Sequence, residues 1–304
     1  MITVRIHGGL GNQMFEYALA RALSLRAGED FELDPTSLFD PTKRKYLTPR
    51  NYALPIVFNI DPKLSRPSRI VRALKLWYVS TVWRKYYPQL FAKLGVWRYV
   101  KEKSFPFDPE ILELRGNVYL DGFWQTEKYF KDYEDIIRKD FTFRNALPGE
   151  TAEVAERIKG SNAVCLHVRR TDAANNPVAQ KVHTLAPMSY YERAVATVKK
   201  HTKDPIKVFV FSDDIPWCRE NVKIDADHEF VGDEHSGVEA QGHLHLMSLC
   251  KHFIIPESSF SWWAAWLSSN KNKVVVAPDP WFKVATIDTK DLLPEGWIKL
   301  QQYT

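Results

Sequence analysis

The sequence lacks the long apolar runs of a membrane-spanning protein, because no stretch of about 18 consecutive apolar residues occurs in its 304 positions. It also has few cysteines, and the three present, Cys165, Cys218 and Cys250, are odd in number and widely spaced. They lie in or beside apolar stretches, which predicts buried free thiols and a reducing compartment rather than a disulfide framework. The opening segment, MITVRIHGG, is typical of a strand and has no signal-peptide cleavage site. The sequence therefore predicts a cytoplasmic protein.

Motifs of several functional classes are absent as well. Cysteine and histidine spacings match no zinc site, and neither a G-x-S-x-G nucleophile turn nor a P-loop occurs. The net charge of +5 is modest and comes without a helix-turn-helix, zinc-finger or RNA-recognition pattern, so we expect no nucleic-acid partner. The triplet Asp225-Ala226-Asp227 has the D-x-D form of nucleotide-sugar metal sites, but two such carboxylates arise easily by chance. We therefore expect no metal and no other cofactor.

Apolar runs alternate with amphipathic segments in the way that predicts an α/β protein. A strand over 2–6, a helix over 12–27 and a second strand, DFELDP, form a strand–helix–strand unit, which requires a parallel sheet. The punctuated segment FRNALPGE, 143–150, is typical of a domain linker, and a second alternation of strands and helices follows it. We expect two domains, 1–150 and 151–304, facing each other across a cleft.

Residues 63–103 differ in character from the rest of the chain. They contain eleven lysines and arginines but one acidic residue, Glu102, and aromatic residues are interleaved with the charges. This composition suits a helical insertion of the N-terminal domain with solvated lysines and buried aromatic rings. It also suits peripheral docking on an anionic membrane, and the sequence leaves both interpretations open.

The strand at 163–168 ends in the segment HVRRTD, where chemistry is expected. In parallel sheets, ligands bind beyond the carboxyl ends of the strands. Arg169 and Arg170 stand there, and guanidinium groups bind phosphoryl oxygens bidentately, while His167 can donate to a phosphate or a base. Alternatively, the two arginines merely pair with Asp172 or another acidic neighbour.

Two further strand ends carry polar residues. FVFSDD places Ser212, Asp213 and Asp214 where carboxylates can accept hydrogen bonds from a ribose or a base, or cap the next helix. PESSFSWWAAWL places Ser258 and Ser259 before a helix, where free backbone N–H groups and hydroxyls bind phosphate or the serines simply cap. The sequence alone leaves these alternatives open.

The segment HGGLGNQM resembles the start of a dinucleotide-binding turn. From Gly9 it matches G-x-G-x-x, but Met14 stands where the fingerprint needs a third small residue. Asp34 follows the second strand at the spacing of a ribose acceptor, so a nicotinamide oxidoreductase stays an alternative. The glycines also permit close approach of a ligand, and Asn12 and Gln13 can bind sugar hydroxyls.

Six segments, in chain order, carry a family resemblance: GGLGNQMFEYA, GFWQTEKYF, HVRRTD, FSDDIPWC, LMSLCKHFII and SSFSWWAAWL. Together they closely resemble the alpha-1,2-fucosyltransferases, bacterial and animal enzymes that transfer fucose from GDP-fucose to a galactoside. The resemblance runs from residue 1 to about residue 285 and is weakest over 63–103. It implies a GT-B fold of two Rossmann-like domains, with GDP-fucose bound mainly by the C-terminal one.

The resemblance also implies an activity and its partners. It implies an inverting, metal-independent transfer from GDP-fucose to the 2-hydroxyl of a galactose-terminated glycan, such as a lipopolysaccharide O-antigen, built on the cytoplasmic side of the membrane. Arg169, Asn12 and Asp172 are the residues that it assigns to catalysis. The donor side would be formed by His167, Arg169, Arg170, Ser212, Asp213, Asp214, Ser258, Ser259 and Phe260. The fucose and acceptor side would be formed by Gly8, Gly9, Asn12 and Gln13.

Some positions leave the mechanism open. The general base is not identified, because several carboxylates are possible: Glu16, Asp34, Asp121, Glu127 and Asp172. Thr171 stands where the family has glycine, as in fucosyltransferases of other linkages, so another linkage or acceptor is an alternative. His243 replaces an acidic residue and Glu257 replaces asparagine. These two departures favour a further alternative, a degenerate protein that binds a nucleotide or glycan without turnover.

Overall fold

Two compact units make up the chain. In a computed structural model, the described residues are 1–39, 50–65, 88–170, 185–284 and 286–302. Unit 1 consists of Met1–Arg144 together with Lys290–Leu292, and unit 2 of Asn145–Thr289 together with Leu293–Thr304. The structure divides the chain after Arg144, whereas the sequence predicted a division at residue 150. The return of residues 290–292 to unit 1 had no signal in the sequence.

Unit 1 is built on a four-stranded parallel sheet in the order β2-β1-β4-β3. Its strands are β1 (Ile2–Arg5), β2 (Phe31–Asp34), β3 (Arg98–Lys101) and β4 (Val118–Asp121), and its helices are α1 (Leu10–Ala27), α2 (Leu54–Val57) and α3 (Glu134–Asp140). All residues of β1 are buried, as expected for an inner strand. Helix α1 begins two residues before the predicted start and ends at Gly28, whose φ of 66° suits a glycine C-cap.

Unit 2 is built on a six-stranded parallel sheet in the order β10-β9-β8-β5-β6-β7. Its strands are β5 (Ala163–Val168), β6 (Lys207–Ser212), β7 (Asp227–Val231), β8 (His252–Ile254), β9 (Val275–Asp279) and β10 (Ile298–Gln301). Its helices are α4 (Gly149–Lys159), α5 (Met188–His201), α6 (Ile215–Asn221), α7 (Gln241–Ser248) and α8 (Ser259–Leu267).

The core of unit 2 explains why its strands are continuous apolar runs. Val164, Leu166 and Val208 on the sheet pack with the buried face of α5, and the hydroxyl of Tyr190 on that helix donates to the carbonyl of Ile255 at 2.7 Å. Helix α8 buries its tryptophans instead of exposing them. The cysteines are buried and free, which confirms the prediction: Cys165, Cys218 and Cys250.

The predicted insertion over 63–103 is only partly described, since residues 66–87 lie outside the described residues. Of its remainder, residues 88–93 are helical and Arg98–Lys101 form β3. Within the described part of the chain, no helix has both the length and the apolar character needed to cross a membrane.

Candidate functional site

The polar residues of unit 2 converge on one edge of its sheet. Strand β5 lies between β6 and β8, and all three run parallel, so the residues that follow them meet at the same carboxyl edge. These residues are Arg169 and Arg170 after β5, Asp213 and Asp214 after β6, and Glu257 and Ser258 after β8. The pattern that the sequence predicted from strand ends is therefore a spatial cluster.

Arg170 is held firmly at this edge. Its backbone N–H donates to Oδ1 of Asp213 at 2.8 Å, and its Nε donates to Oδ2 of Asp214 at 3.3 Å. Its guanidinium also lies 3.6 Å from the ring centroid of Trp217, a cation–π contact. Asp214 in turn accepts from the backbone N–H of Trp217 at 3.2 Å and caps α6. The alternative that an arginine pairs with an acidic neighbour thus holds for Arg170. Arg169 directly follows β5 and is half-buried.

Two buried side chains at the same edge have unused hydrogen-bonding atoms. Nδ1 of His167 and Oγ of Ser258 are buried and have no hydrogen-bond partner in the part of the chain that the structure describes. Burial lowers the pKa of His167 to about 4, so its imidazole is neutral at physiological pH. Its ring lies 6.2 Å from that of Phe260. Because an unpaired buried polar atom costs about 1–3 kcal/mol, such atoms are suited to ligand contacts.

The remaining polar residues of this edge are used within the fold. Oγ of Ser212 accepts from the backbone N–H of Asp214 at 2.9 Å. His243 lies opposite the carbonyl of Gly232, with Nε2 at 2.9 Å, and against the ring of Phe211, while burial lowers its pKa. His243 therefore acts as a neutral packing residue. The Ser258 hydroxyl does not cap α8, which Ser259 begins, contrary to the simple capping alternative.

In unit 1, the segment HGGLGN forms the turn from β1 into α1, here called the glycine loop and defined as residues 7–12. Gly8 has a φ of +60°, and a Cβ there would lie 2.6 Å from Nδ2 of Asn12, so only glycine fits. Gly9 is the N-cap of α1. Oδ1 of Asn12 accepts from Nε2 of Gln125 at 2.8 Å. The glycine loop is therefore braced by the segment that follows β4.

Gln13 does not lie where the resemblance implied. Its side chain is fully buried, its Nε2 donates to the carbonyls of Gly8 at 3.1 Å and Asn51 at 2.8 Å, and its Oε1 accepts from the N–H of Ala53 at 2.9 Å. With its amide bonded to backbone on both sides, Gln13 positions the glycine loop instead of facing a sugar. Both N–H donors of this buried amide are therefore used by backbone carbonyls.

Asp34 excludes the dinucleotide interpretation. It is fully buried, and its carboxylate accepts from the hydroxyl of Tyr119 and from the N–H of Thr36. A ribose acceptor must instead present its carboxylate to the ligand. The prediction that Asp34 serves a nicotinamide cofactor is therefore wrong.

His7 is a functional candidate that the sequence reasoning missed. Its Nδ1 lies 2.9 Å from Oε1 of Glu16 and its Nε2 lies 3.1 Å from Oδ1 of Asp121, so two carboxylates flank one imidazole. The backbone N–H of His7 also donates to Glu16, and Asp121 accepts from Arg5 at 3.0 Å and from Tyr99 at 2.6 Å. These residues are called the His7 network. The histidine directly before the double glycine was the available signal.

Electrostatics fix the protonation of the His7 network. Burial opposes the charge of His7, but hydrogen bonds with Asp121 and Glu16 outweigh burial and raise its pKa to about 9. Burial raises the pKa of Glu16 to about 7, although His7 works against this shift. Burial also opposes the charge of Asp121, yet its bonds with His7 and Arg5 hold its pKa well below the usual range. The imidazolium of His7 therefore links two acidic groups at the base of the glycine loop.

Several of the carboxylates that the sequence offered as the general base are engaged in contacts within the fold. Both carboxylate oxygens of Glu16 bond His7, and those of Asp121 are likewise occupied by the His7 network. Glu127 lies 3.4 Å from the amine of Lys131. Asp172 and Thr171 lie outside the described residues.

Among the described residues, no group of three or more histidine, cysteine or acidic side chains is arranged so that it could hold a metal ion. Asp225 of the D-x-D triplet is instead paired with Lys199 at 2.9 Å on the surface.

Comparison with known proteins places this geometry in a family context. The family model described as glycosyl transferase family 11 matches residues 1–301. An alpha-1,2-colitosyltransferase of Escherichia coli is 32% identical over 307 aligned residues, covering 99% of each chain. A galactoside alpha-(1,2)-fucosyltransferase 2 of Sus scrofa is 25% identical, covering 99% of this chain and 80% of that protein.

A solved structure supports the fold. The NodZ alpha-1,6-fucosyltransferase, in a crystal soaked with GDP-fucose, gives a TM-score of 0.52 at 17% identity, covering 88% of this chain and 92% of that chain. Together with the parallel sheets of the two units, this likeness confirms the predicted α/β fold of GT-B type.

Proposed function

The chain belongs to glycosyl transferase family 11, and from that premise we propose that it transfers L-fucose from GDP-fucose to the 2-hydroxyl of a terminal galactoside, with inversion at the anomeric carbon. The observation that carries the proposal is the cluster at the carboxyl edge of unit 2. There two consecutive arginines adjoin buried His167 and Ser258, and Nδ1 of the histidine and Oγ of the serine have no hydrogen-bond partner among the described residues. A diphosphate supplies the acceptor oxygens that such a cluster lacks.

The proposed mechanism follows from where charge develops. Breaking the bond between fucose and GDP places negative charge on the departing diphosphate, and a positioned guanidinium stabilises that charge. We assign this role to Arg169, with Arg170 fixed beside it by Asp214 and Trp217. Because these cations already neutralise the leaving group, no metal is needed for this step. Neutral His167 donates or accepts a hydrogen bond without adding charge.

The glycine loop is assigned to the sugar side of the reaction. Gly8 and Gly9 allow the backbone to approach a sugar closely, and the amide of Asn12 bonds its hydroxyls. The base that accepts the acceptor proton is not assigned to Glu16, because both of its carboxylate oxygens bond His7. Asp172, which follows the paired arginines in sequence, stays the proposed catalytic carboxylate.

The proposal is tested by incubating the purified protein with GDP-fucose, EDTA and a panel of galactose-terminated oligosaccharides. Released GDP and the product mass are measured, and linkage analysis identifies the substituted hydroxyl. A fucosylated product in EDTA, with substitution at the 2-hydroxyl, is expected. GDP binding without transfer to any acceptor, in EDTA or with added magnesium, would contradict the proposal and favour a degenerate binding protein.

A second donor is favoured by one specific observation, the 32% identity with an alpha-1,2-colitosyltransferase over the whole chain. Colitose is fucose without its 3-hydroxyl, so the same nucleotide site would serve both donors. Parallel assays with GDP-fucose and GDP-colitose decide between them. A site built to bond the 3-hydroxyl discriminates strongly against the deoxy sugar, whereas one that packs against it does not.

We further propose peripheral contact with anionic membranes, which would bring the enzyme to a lipid-linked O-antigen acceptor. Three of the large apolar side chains that unit 1 exposes lie within seven residues of each other, namely Leu90 at 42%, Leu94 at 68% and Val96 at 41% exposure. Exposed Lys93 lies between Leu90 and Leu94, and exposed Arg98 follows Val96. The whole segment 63–103 is strongly basic. Apolar side chains beside cations are typical of interfacial docking.

A further inference from the structure

Unit 1 contains a cavity of about 440 Å³ beside β3, a volume within the range of about 300–1,000 Å³ typical of ligand pockets. Its walls combine aromatic rings with polar groups. Among the lining residues are Tyr99, Glu102, Lys103, Phe107, Asp108, Trp124 and Tyr129. Rings pack against the apolar C–H faces of a sugar, and the polar groups bond its hydroxyls. Two of these residues, Trp124 and Tyr129, belong to the segment GFWQTEKYF, whereas the glycine loop contributes no lining residue.

One wall of the cavity is held in a strained conformation. Glu102 accepts from the backbone N–H groups of Phe123 at 2.7 Å and Trp124 at 3.0 Å, and so closes the turn that follows β4. A Cβ at Gly122 would lie 2.3 Å from Cβ of Glu102, so this turn requires glycine. Trp124 itself has a φ of 56°, a left-handed conformation that bulky residues rarely adopt. Such strain persists where the surrounding structure fixes a side chain for use.

The side chain of Trp124 has an unused donor. Trp124 is 1% exposed, and its ring packs edge-on against Tyr129 with centroids 5.9 Å apart, but its Nε1 has no hydrogen-bond partner among the described residues. The Tyr129 hydroxyl accepts from the N–H of Asp108 at 3.1 Å and keeps its own proton to donate, since burial raises its pKa. Phe107 packs on Tyr129 at 5.0 Å. Phe107, Trp124 and Tyr129 all line the cavity, so two hydrogen-bond donors and an aromatic ring belong to residues of its wall.

A hydrogen bond connects the turn at the cavity wall to the glycine loop. Gln125 follows Trp124 in the chain and donates to Asn12 at 2.8 Å. Within this turn, Trp124 lines the cavity and Gln125 forms a hydrogen bond with the glycine loop.

We propose that this cavity is a saccharide subsite that binds a sugar of the acceptor other than the galactose that receives fucose. The inference rests on the proposed function and adds the recognition of an acceptor longer than one sugar. One hydroxyl of the bound sugar accepts from Nε1 of Trp124 and another from the hydroxyl of Tyr129. The ring of Phe107 contacts the apolar face of that sugar.

The test measures acceptor binding without donor, so that it does not depend on transfer. A galactose-terminated trisaccharide and methyl galactoside are titrated into the wild-type protein and followed by saturation-transfer NMR. Trp124→Phe removes the Nε1 donor and keeps an aromatic ring. We expect it to weaken trisaccharide binding about tenfold, the loss of roughly 1.4 kcal/mol, and to leave methyl galactoside binding unchanged.

A matched variant separates the subsite from general effects of the substitution. Trp97→Phe also removes an indole donor in unit 1, one that bonds the carbonyl of Pro88 at 2.9 Å, but Trp97 does not line the cavity. Trisaccharide binding should stay at the wild-type level in this control. If Trp124→Phe fails to fold, Phe107→Leu replaces it, with an expected loss of several-fold for the trisaccharide only.

Two outcomes would overturn the subsite: wild-type trisaccharide affinity in a folded Trp124→Phe or Phe107→Leu variant, or equal losses for trisaccharide and methyl galactoside. Failure of the proposed function has a different signature. Trisaccharide binding that depends on Trp124, in a wild-type protein that releases no GDP from GDP-fucose, would contradict the transferase proposal and support the subsite.

Discussion

Nε2 of Gln125 donates to Oδ1 of Asn12 across 2.8 Å, and this bond joins two motifs that lie 113 positions apart in the sequence. Asn12 belongs to the glycine loop at the end of β1, and Gln125 belongs to the turn after β4. Because β1 and β4 are neighbours in a parallel sheet, their carboxyl ends bring the motifs together. The bond orients the amide that is proposed to contact the sugar.

Replacing Gln125 tests whether that orientation matters. Gln125→Leu removes the donor and keeps a buried side chain of similar size. A hydrogen bond of this kind contributes about 1 kcal/mol, so we expect kcat/KM for transfer to fall by about fivefold, with GDP affinity unchanged. Gln301→Leu is the control, because it removes a side-chain bond to Asp279 in unit 2. Equal losses in both variants would contradict the assignment.

Substitutions of the two consecutive arginines should differ in their effects on the turnover rate and on the stability of the fold. Arg169→Ala is expected to lower kcat by about 10²–10³-fold with almost no change in Tm, since it removes a cation aimed at developing charge. Arg170→Ala also removes the ion pair with Asp214 and the contact with Trp217, which together contribute about 1–2 kcal/mol. Its Tm should fall by a few degrees. Steady-state kinetics and calorimetry on both variants provide the check, and a large Tm loss in Arg169→Ala would contradict its catalytic role.

The His7 network predicts that stability falls as pH rises. The pKa of His7 is raised from 6.5 to about 9, so its stabilising contribution is fully present below pH 6.5 and is lost as pH rises through 9. That contribution is on the order of 3 kcal/mol. Glu16, whose pKa is raised from 4.5 to about 7, changes stability in the same direction between those values.

Urea unfolding of wild type and His7→Gln at pH 6, 7, 8 and 9 measures this effect. The difference in the free energy of unfolding between the two proteins should shrink toward pH 9. His201→Gln, which alters an exposed histidine in unit 2, should keep the wild-type pH profile. A constant difference between wild type and His7→Gln would show that folding does not raise the pKa of His7.

Membrane docking is tested at the most exposed apolar residue of the 88–97 segment. Leu94→Glu should abolish co-sedimentation with anionic vesicles, because it adds a like charge and removes an apolar contact. Val238→Glu is a matched control, since Val238 is 60% exposed but belongs to unit 2. Wild-type binding is expected to weaken at high salt and to be absent with neutral vesicles. Equal sedimentation of Leu94→Glu and wild type would exclude this segment as the docking surface.

Much of the fold was predictable because the signals are local. Apolar runs of four to six residues mark the inner strands, and Gly28 ends α1 as a glycine C-cap should. The convergence of Arg169, Arg170, Asp213 and Asp214 followed from one rule about parallel strands. That rule needs no knowledge of distant contacts.

The residues that were mispredicted depend on such contacts. Nothing in the sequence shows that the Gln13 side chain bonds the backbone of residues 51 and 53. Nor does it show that the hydroxyl of Tyr119 donates a hydrogen bond to the carboxylate of Asp34. The His7 network joins His7, Glu16 and Asp121. Asp121 lies next to His7 only because β4 pairs with β1 in this register. Likewise, the turn at Trp124 becomes recognisable only when Glu102 is seen to close it.

Asp291 gives the chain an order of assembly. It accepts from the backbone N–H of Phe107 at 3.0 Å and from Nζ of Lys128 at 2.5 Å, and buried Leu292 follows it, so unit 1 takes its last pieces from near the end of the chain. During translation, residues 1–144 emerge first, yet their contacts stay incomplete until the ribosome has added residue 292. A nascent N-terminal unit must therefore wait until residue 292 has been added before its folding is finished.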